Sequence, residues 1–311
     1  MDRRNGPLNS VPTPPTEPAS RLIKRAFGYL LAFAGLIWVF HDIHMGELLR
    51  NMPSLNGGWV ALAIVFDILS YLCQGLRWQL LLRSVGPISL LRATQAIYAG
   101  LFTNEVLPMR LGELVRAYLV SRWLSAELVS VLPSMVVERW FDGVWLALAV
   151  GLTALFVPLP KNLLEAGDLL GIIVLMATGL FVYIVFRRQK TPEDRVSEKF
   201  SWKLLRSAIS FVEGLAVELR NMGLSRFFYL AFSVSLFVLF LQALAFWLVM
   251  WAYGLRLSFW SGAVVFLVVH LGTAIPNAPA NVGTYQFFCV VGLTLFGVEK
   301  TQATGFSLVV F

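Results

Sequence analysis

"FTNEVLPMRLGELVRAY", residues 102–118, sets four charges (Glu105, Arg110, Glu113 and Arg116) among apolar residues, with Pro108 and Gly112 between them. Proline lacks the N–H that a helix interior uses, and glycine weakens a helix. The stretch therefore predicts one helix ending at Pro108 and another starting near Gly112. Its surroundings decide what that break means. Of 311 residues, 58% are apolar and only 14% charged, with 24 Phe and ten Trp. A soluble domain of this length needs far more polar surface. A helix crosses about 30 Å of hydrocarbon with roughly 20 apolar residues, and several stretches qualify. The fold class is an all-α polytopic membrane protein.

Hydropathy predicts spans at 26–43 and 58–83, a helix at 91–107, and a short, more polar helix at 112–123. Longer helices follow at 128–157 and 168–186, then others at 226–253, 258–275 and 283–297. Residues 1–24, rich in Pro, Ser and Thr, read as a disordered tail. No apolar core follows Met1 closely enough for a signal peptide. Between Arg187 and Arg206 stand seven Lys or Arg against three acids. The positive-inside rule puts this loop, and the N-terminal tail, in the cytoplasm. The loop runs on into an amphipathic helix at 202–221, with Trp202, Leu205, Ile209 and Val212 on one side, so that 187–225 forms one interfacial unit. Loop charge sets topology here, and nucleic-acid binding is a poor reading of it.

An internal repeat gives the break a context. At an offset of 168 residues, "LCQGLRWQLLLRSVG" (72–86) aligns with "FLQALAFWLVMWAYG" (240–254), placing Gln74 on Gln242 and Gly86 on Gly254. The same offset brings Pro108 onto Pro276, and three extra residues then set "PMRLGE" against "PANVGT". With a cytoplasmic N-terminus and a cytoplasmic basic loop, the span at 58–83 enters the cytoplasm and its mate at 226–253 leaves it. The two copies, 25–186 and 226–311, are thus inverted. Residue 83 is then inside and residue 160 outside, so 91–123 must enter and return on one side. That makes it a re-entrant hairpin, matched by a second at 258–297. Pro108 and Gly112 break the first; Pro276, Pro279 and Gly283 break the second. Two Pro-kinked ordinary spans are the competing reading. The mate of the helix at 128–157 starts near residue 300, so the repeat predicts a chain that is cut short at Phe311.

A charge in hydrocarbon must pair or face water. Arg110, Glu113 and Arg116 follow the first tip, and "VVERWFD" adds Glu138, Arg139 and Asp142. Glu138 and Asp142 share a helix face at i,i+4 while Arg139 points elsewhere. Arg77 is a further partner. Either these residues form a polar cavity for a lipid head group, or they staple the hairpin in place. Asn104 near the first tip, and Asn277 and Asn281 at the second, add neutral hydrogen-bonding groups. Cys73 and Cys289 lie in apolar segments as small packing residues, and no metal or cofactor motif is present. No GxSxG, HExxH or Walker pattern points to an enzyme.

"NEVLPMRLGELVRAYLV", "VVERWFDGVWLALAV" and "IPNAPANVGTYQFFCVVGLTLFGV" together resemble the lysylphosphatidylglycerol synthase transmembrane-region family over roughly residues 25–311. The motifs carry Asn104, Pro108, Arg110, Gly112, Glu113, Arg116, Glu138, Arg139, Asp142, Pro276, Pro279 and Gly283 over as functional or architectural positions. Ala278, Ala280 and Gln286 depart from the Gly residues and Glu that the family commonly has at the second turn. The resemblance implies an inner-membrane protein that moves a lipid or lipid-linked sugar across the bilayer. It does not imply lysyl-lipid synthesis, which needs a soluble aminoacyltransferase domain absent from this sequence. The expected partner is an anionic phospholipid or polyprenyl-linked sugar. The alternative is a scaffold for a glycosyltransferase or other lipid-modifying enzyme.

Overall fold

The computed structural model describes residues 55–106, 111–159, 161–186, 225–274 and 281–311, with Ile37, Val217 and Arg220 besides. The expected tail, first span and basic loop therefore lie outside the described residues, as do Arg110 and Asn277 and the breakers Pro108, Pro276 and Pro279. The described chain is helical, without a strand. Its helices are α1 (Gly57–Leu81, extended by a 3₁₀ turn to Ser84), α2 (Leu90–Val106), α3 (Gly112–Leu124), α4 (Leu128–Ala154), α5 (Lys161–Phe186), α6 (Arg226–Ala252), α7 (Phe259–Thr273), α8 (Thr284–Thr294) and α9 (Lys300–Val310). Helix α5 begins seven residues before the expected 168, because its polar first turns lower hydropathy without breaking the helix.

Local chemistry fixes the ends. Asn56 caps α1 by accepting from the Gly58 and Trp59 N–H groups, and the Ser225 hydroxyl accepts from Phe228 at the start of α6. Helix α6 stops at Gly254, whose φ of +93° suits glycine; the Leu255 N–H then reaches back to the Met250 carbonyl at 2.9 Å. Ser125, at φ +52°, closes α3 in the same way.

Helices α1 and α6 pack along their whole length and run antiparallel. The Asn56 N–H at the start of α1 donates to the Ala252 carbonyl at the end of α6, at 3.1 Å. At the opposite end, Arg83 lies 4.3 Å over the ring of Phe227. Among the described residues, three segments are long and apolar enough to cross a membrane: Gly57–Ser84, Leu163–Tyr183 and Arg226–Ala252. Helix α4, at 27 residues, is also long enough but carries Glu138, Arg139 and Asp142 at its middle.

The shorter helices form two antiparallel pairs. In the first, Gly100 of α2 lies against Gly112 of α3, so closely that a Cβ on Gly112 would overlap the Gly100 carbonyl oxygen. Close approach, not a left-handed turn, is what requires glycine at 112. In the second pair Gly272 of α7 meets the Phe288 ring of α8, and Gly292 meets Val265. Each pair builds an apolar core with the long helices. One gathers Trp78, Leu82, Ile97, Val120 and Val131 from α1 to α4. The other gathers Phe246, Met250, Val265, Leu293 and Phe306 from α6 to α9. Cys289 packs in the second core, while Cys73 is half-buried.

Candidate functional site

Three helices bring six charges into one closed ring. Arg77 of α1 donates to Glu138 of α4 through Nε (3.2 Å) and Nη2 (3.1 Å), and through Nη1 to Asp142. The other oxygen of Glu138 accepts from Arg116 Nη2 at 2.7 Å, and that nitrogen also lies 2.8 Å from Glu113 Oε2. Both of the latter residues belong to α3. Arg139 of α4 closes the circle, pairing with Glu113 and, at 3.4 Å, with Asp142. Cations and carboxylates alternate throughout, so the ring is neutral. Each carboxylate meets two guanidiniums. Removing Glu138 would leave two buried guanidiniums short of charge, in surroundings where an unpaired ion is costly.

Arg139 corrects an expectation. Its position next to Glu138 puts its Cα on another face, but the long side chain bends back to Asp142 one turn on and reaches Glu113 across the helix boundary. Helical-face arithmetic fixes where a Cβ starts, not where four methylene-length bonds of an arginine end.

The ring has a buried arc and an open one. The side chains of Glu138, Arg77 and Arg116 are 1%, 5% and 9% exposed; those of Glu113, Asp142 and Arg139 are 27%, 32% and 57% exposed. Trp78 supports the buried arc. Its fully buried indole lies 4.7 Å beneath the Arg116 guanidinium, and its Nε1–H donates to Ser134 at 2.9 Å. From α6, Ser235 lies 3.4 Å from Arg77 Nη1. A cavity of about 110 Å³ borders the ring, lined by Gln74, Arg77, Arg116, Arg139 and Asp142, with Trp145, Gln242 and His270 opposite. A larger one of about 580 Å³, mostly apolar, runs toward the start of α1; it shares Gln242 and His270 with the first and has Asp67 and Tyr71 on its wall.

The structure thus gathers Arg77, Glu113, Arg116, Glu138 and Asp142. Asn104 takes an architectural place: its Oδ1 accepts from the Gly112 N–H at 2.8 Å and caps α3. Asn281, at φ +57°, and Gly283, at φ +84°, precede α8, where the Gly283 N–H donates to Gln286 Oε1 at 2.7 Å. Asn281 does not line the charged cavity. Ser235, Trp145 and His270 were not singled out by sequence. Gln74 and Gln242 carried a signal, as the polar pair that the repeat superposes.

The comparisons come from different kinds of protein. The chain matches the lysylphosphatidylglycerol synthase TM region family over residues 25–311. A UPF0104 membrane protein of Methanothermobacter thermautotrophicus is 24% identical over 297 residues, 91% of this chain and 86% of the relative. Another, from Methanocaldococcus jannaschii, is 20% identical over 303 residues, 93% of this chain and 90% of the relative. The glycosyltransferase AglD of Haloferax volcanii is 28% identical over 162 residues, 52% of this chain but 25% of the relative. No solved structure matches significantly. With its helices long enough to span a bilayer and its match running from residue 25 to residue 311, the chain belongs to the lysylphosphatidylglycerol synthase TM region family.

Proposed function

We propose that this protein moves a polar lipid, or a lipid-linked sugar, across the inner membrane, and that the charged ring receives its head group. The observation that carries the reading is the ring itself: six alternating charges on three apolar-packed helices, one arc sealed and the other open beside a cavity. A ring needed only to hold helices together gains nothing from an open arc. Carboxylate–guanidinium pairs on that arc can exchange for pairs with a head group, so charge stays compensated while the lipid is inside. Arg110, Asn104, Asn277 and Asn281 are proposed to border the route rather than the ring. The chemistry requires no bond to be made or broken, and the reading is of a transporter, not an enzyme.

An inverted repeat with two re-entrant hairpins is the proposed scaffold. In its support, α1 and α6 begin at Gly57 and Arg226, within one residue of the repeat offset, and are antiparallel. The core residues Trp78, Leu82 and Ile97 correspond at that same offset to Phe246, Met250 and Val265. The paired helices are also short. At 17, 13, 15 and 11 residues, α2, α3, α7 and α8 each fall below the roughly 20 needed to cross. The proposed cytoplasmic face is the end where α1 finishes and α6 begins.

The test is movement of fluorescent lipids in liposomes holding the full-length protein. Wild type should move a polar lipid; Glu138→Gln and Arg139→Gln, folded, should not. A second reading, a scaffold for a glycosyltransferase, is favoured by the Haloferax relative, whose name is that of such an enzyme. A folded wild type that moves none of a broad lipid panel would decide for the scaffold.

A further inference from the structure

Helix α1 carries two charged residues, Asp67 and Arg77. Arg77 belongs to the ring, where it pairs with Glu138 and Asp142. Asp67 is left outside it: among the described residues its carboxylate meets no hydrogen-bond donor and no cation. It stands ten residues past Gly57, about 15 Å along the helix axis. That is half of the roughly 30 Å of a hydrocarbon core. A carboxylate at such depth must find a cation, face a cavity or take a proton. Asp67 lines the apolar cavity of about 580 Å³, and Tyr71 follows one turn on along the same face. The other titratable groups described on that wall are His270 of α7 and Tyr285 of α8, while α6 adds the neutral Gln242 and α9 apolar residues. From α2, Tyr98 packs against Tyr71 at 5.3 Å and Glu105 lies within electrostatic reach of it. The charges of α4 are taken up by the ring. No Lys or Arg is among the described residues of the wall. His270 is the link between the two sites. Like Gln242 it borders both cavities, and it lies within electrostatic reach of Asp142 on the open arc.

We propose that Asp67 is a proton-binding residue, that His270 relays its proton to the open arc of the ring, and that protons drive the transport. The inference rests on the reading that the ring serves lipid movement, and names the ion coupled to it. Coupling-ion sites near the bilayer midplane suit a transporter of this build. Asp67 takes up a proton through the large cavity, which runs toward the start of α1. The carboxylic acid then gives that proton to the His270 imidazole, leaving a carboxylate and an imidazolium with no change in net charge. Histidine suits the step because its ring takes a proton at one nitrogen and releases one from the other. The imidazolium attracts Asp142, whose pair with Arg139 is the longest of the ring at 3.4 Å. With three cations already matched by three anions, one more cation beside the ring leaves a guanidinium in excess. Arg139, the most exposed of the three, is the one set free to exchange partners. Loss of the proton from His270 on the ring side restores the closed circle.

The experiment reads proton occupancy first and transport second. A hydrophobic carbodiimide adds to a protonated carboxyl group in an apolar site, and peptide mapping by mass spectrometry locates the adduct. In the full chain at neutral pH, Asp67 should be labelled, whereas Glu165, exposed near the start of α5, should not. Labelling should fall as the pH is raised and should ignore sodium. No label on Asp67 at neutral pH, or protection of it by sodium, overturns the proposal. The second arm uses liposomes holding the full-length protein under an imposed pH gradient. A gradient of about one unit should shift the leaflet ratio of a moved fluorescent lipid by up to about tenfold, the limit for one proton per lipid. Asp67→Asn and His270→Gln, shown by thermal unfolding to be folded, should lose that shift. Lipid movement by wild type that ignores the gradient overturns the coupling and leaves the transport reading standing. Asp67 labelled as expected, in a protein that moves no lipid, keeps the proton site and removes the transport reading.

Discussion

Glu138 has two guanidinium partners and 1% of its side chain exposed, which makes it the residue on which the ring depends most. Glu138→Ala strands Arg77 and Arg116 together, two buried cations without their shared anion. The expected loss is about 3–5 kcal/mol, the usual scale for breaking a buried pair, read as a lower thermal unfolding temperature in detergent. Arg139→Gln is the contrasting case. With 57% of its side chain exposed, its pairs with Glu113 and Asp142 are screened, and its removal should cost less than about 1 kcal/mol. The same variant should nevertheless abolish lipid movement if the open arc is where the head group enters. Stability and activity thus separate along one ring. A variant series in which activity simply tracks unfolding temperature would argue that the ring is a staple.

Among the elements, the α2–α3 pair sets where the ring can form, because Glu113 and Arg116 stand on the first turns of α3. Two features hold that helix in register: the Gly100–Gly112 approach and the Asn104 cap. Gly112→Ala places a methyl group against the Gly100 carbonyl and Asn104, so α3 must move away from α2. We expect a cost of about 1–3 kcal/mol, as for other overpacked contacts, again from thermal unfolding. The displacement should also weaken the Arg116–Glu138 pair, so coupling between Gly112→Ala and Glu138→Gln is expected. Strict additivity in that double-mutant cycle would show that the α2–α3 contact does not position the ring.

For the molecule as a whole, the proposed repeat relates two halves whose chemistry differs. The counterparts of Arg77, Arg116 and Glu138 under the repeat are Ala245, Phe287 and Val309. The ring has no mirror image, and Ala245 and Val309 line the apolar cavity instead. A cation placed there meets Asp67 on the cavity wall but not the pair of carboxylates that flanks each guanidinium of the ring. Ala245→Arg should cost at least about 2.5–3.5 kcal/mol on insertion scales, seen as reduced yield of folded, membrane-inserted protein. Adding Val309→Glu should recover part of it; no recovery would mean that the two positions do not face each other as the repeat requires. Topology is open to a simpler check. Ser84→Cys and Ser225→Cys, placed at one end of the α1–α6 pair, should react with an impermeant maleimide from the same side, and Arg256→Cys from the other. Labelling of Ser84→Cys from outside intact cells would reverse the proposed orientation.

Much of this was legible in the chain because it follows from local rules. Apolar runs of membrane length give α1, α5 and α6 wherever they occur, since no water is present to satisfy an open backbone. Asn56, Ser225 and Gly254 mark ends by their own hydrogen bonding and backbone freedom. The charges of the "LPMRLGELVR" and "VVERWFD" stretches announce a polar site, because ions in an oily sequence must find partners. Tertiary structure alone decided who those partners are. Arg77 stands 61 residues from Glu138 and pairs with it only once α1 crosses α4. Arg139 enters the ring because an arginine side chain is long enough to leave its own face. The cavity beside the ring exists only where α1, α3, α4, α6 and α7 meet. Sequence spacing governs what a helix presents over one or two turns; which of those groups face one another depends on packing between helices that are distant along the chain.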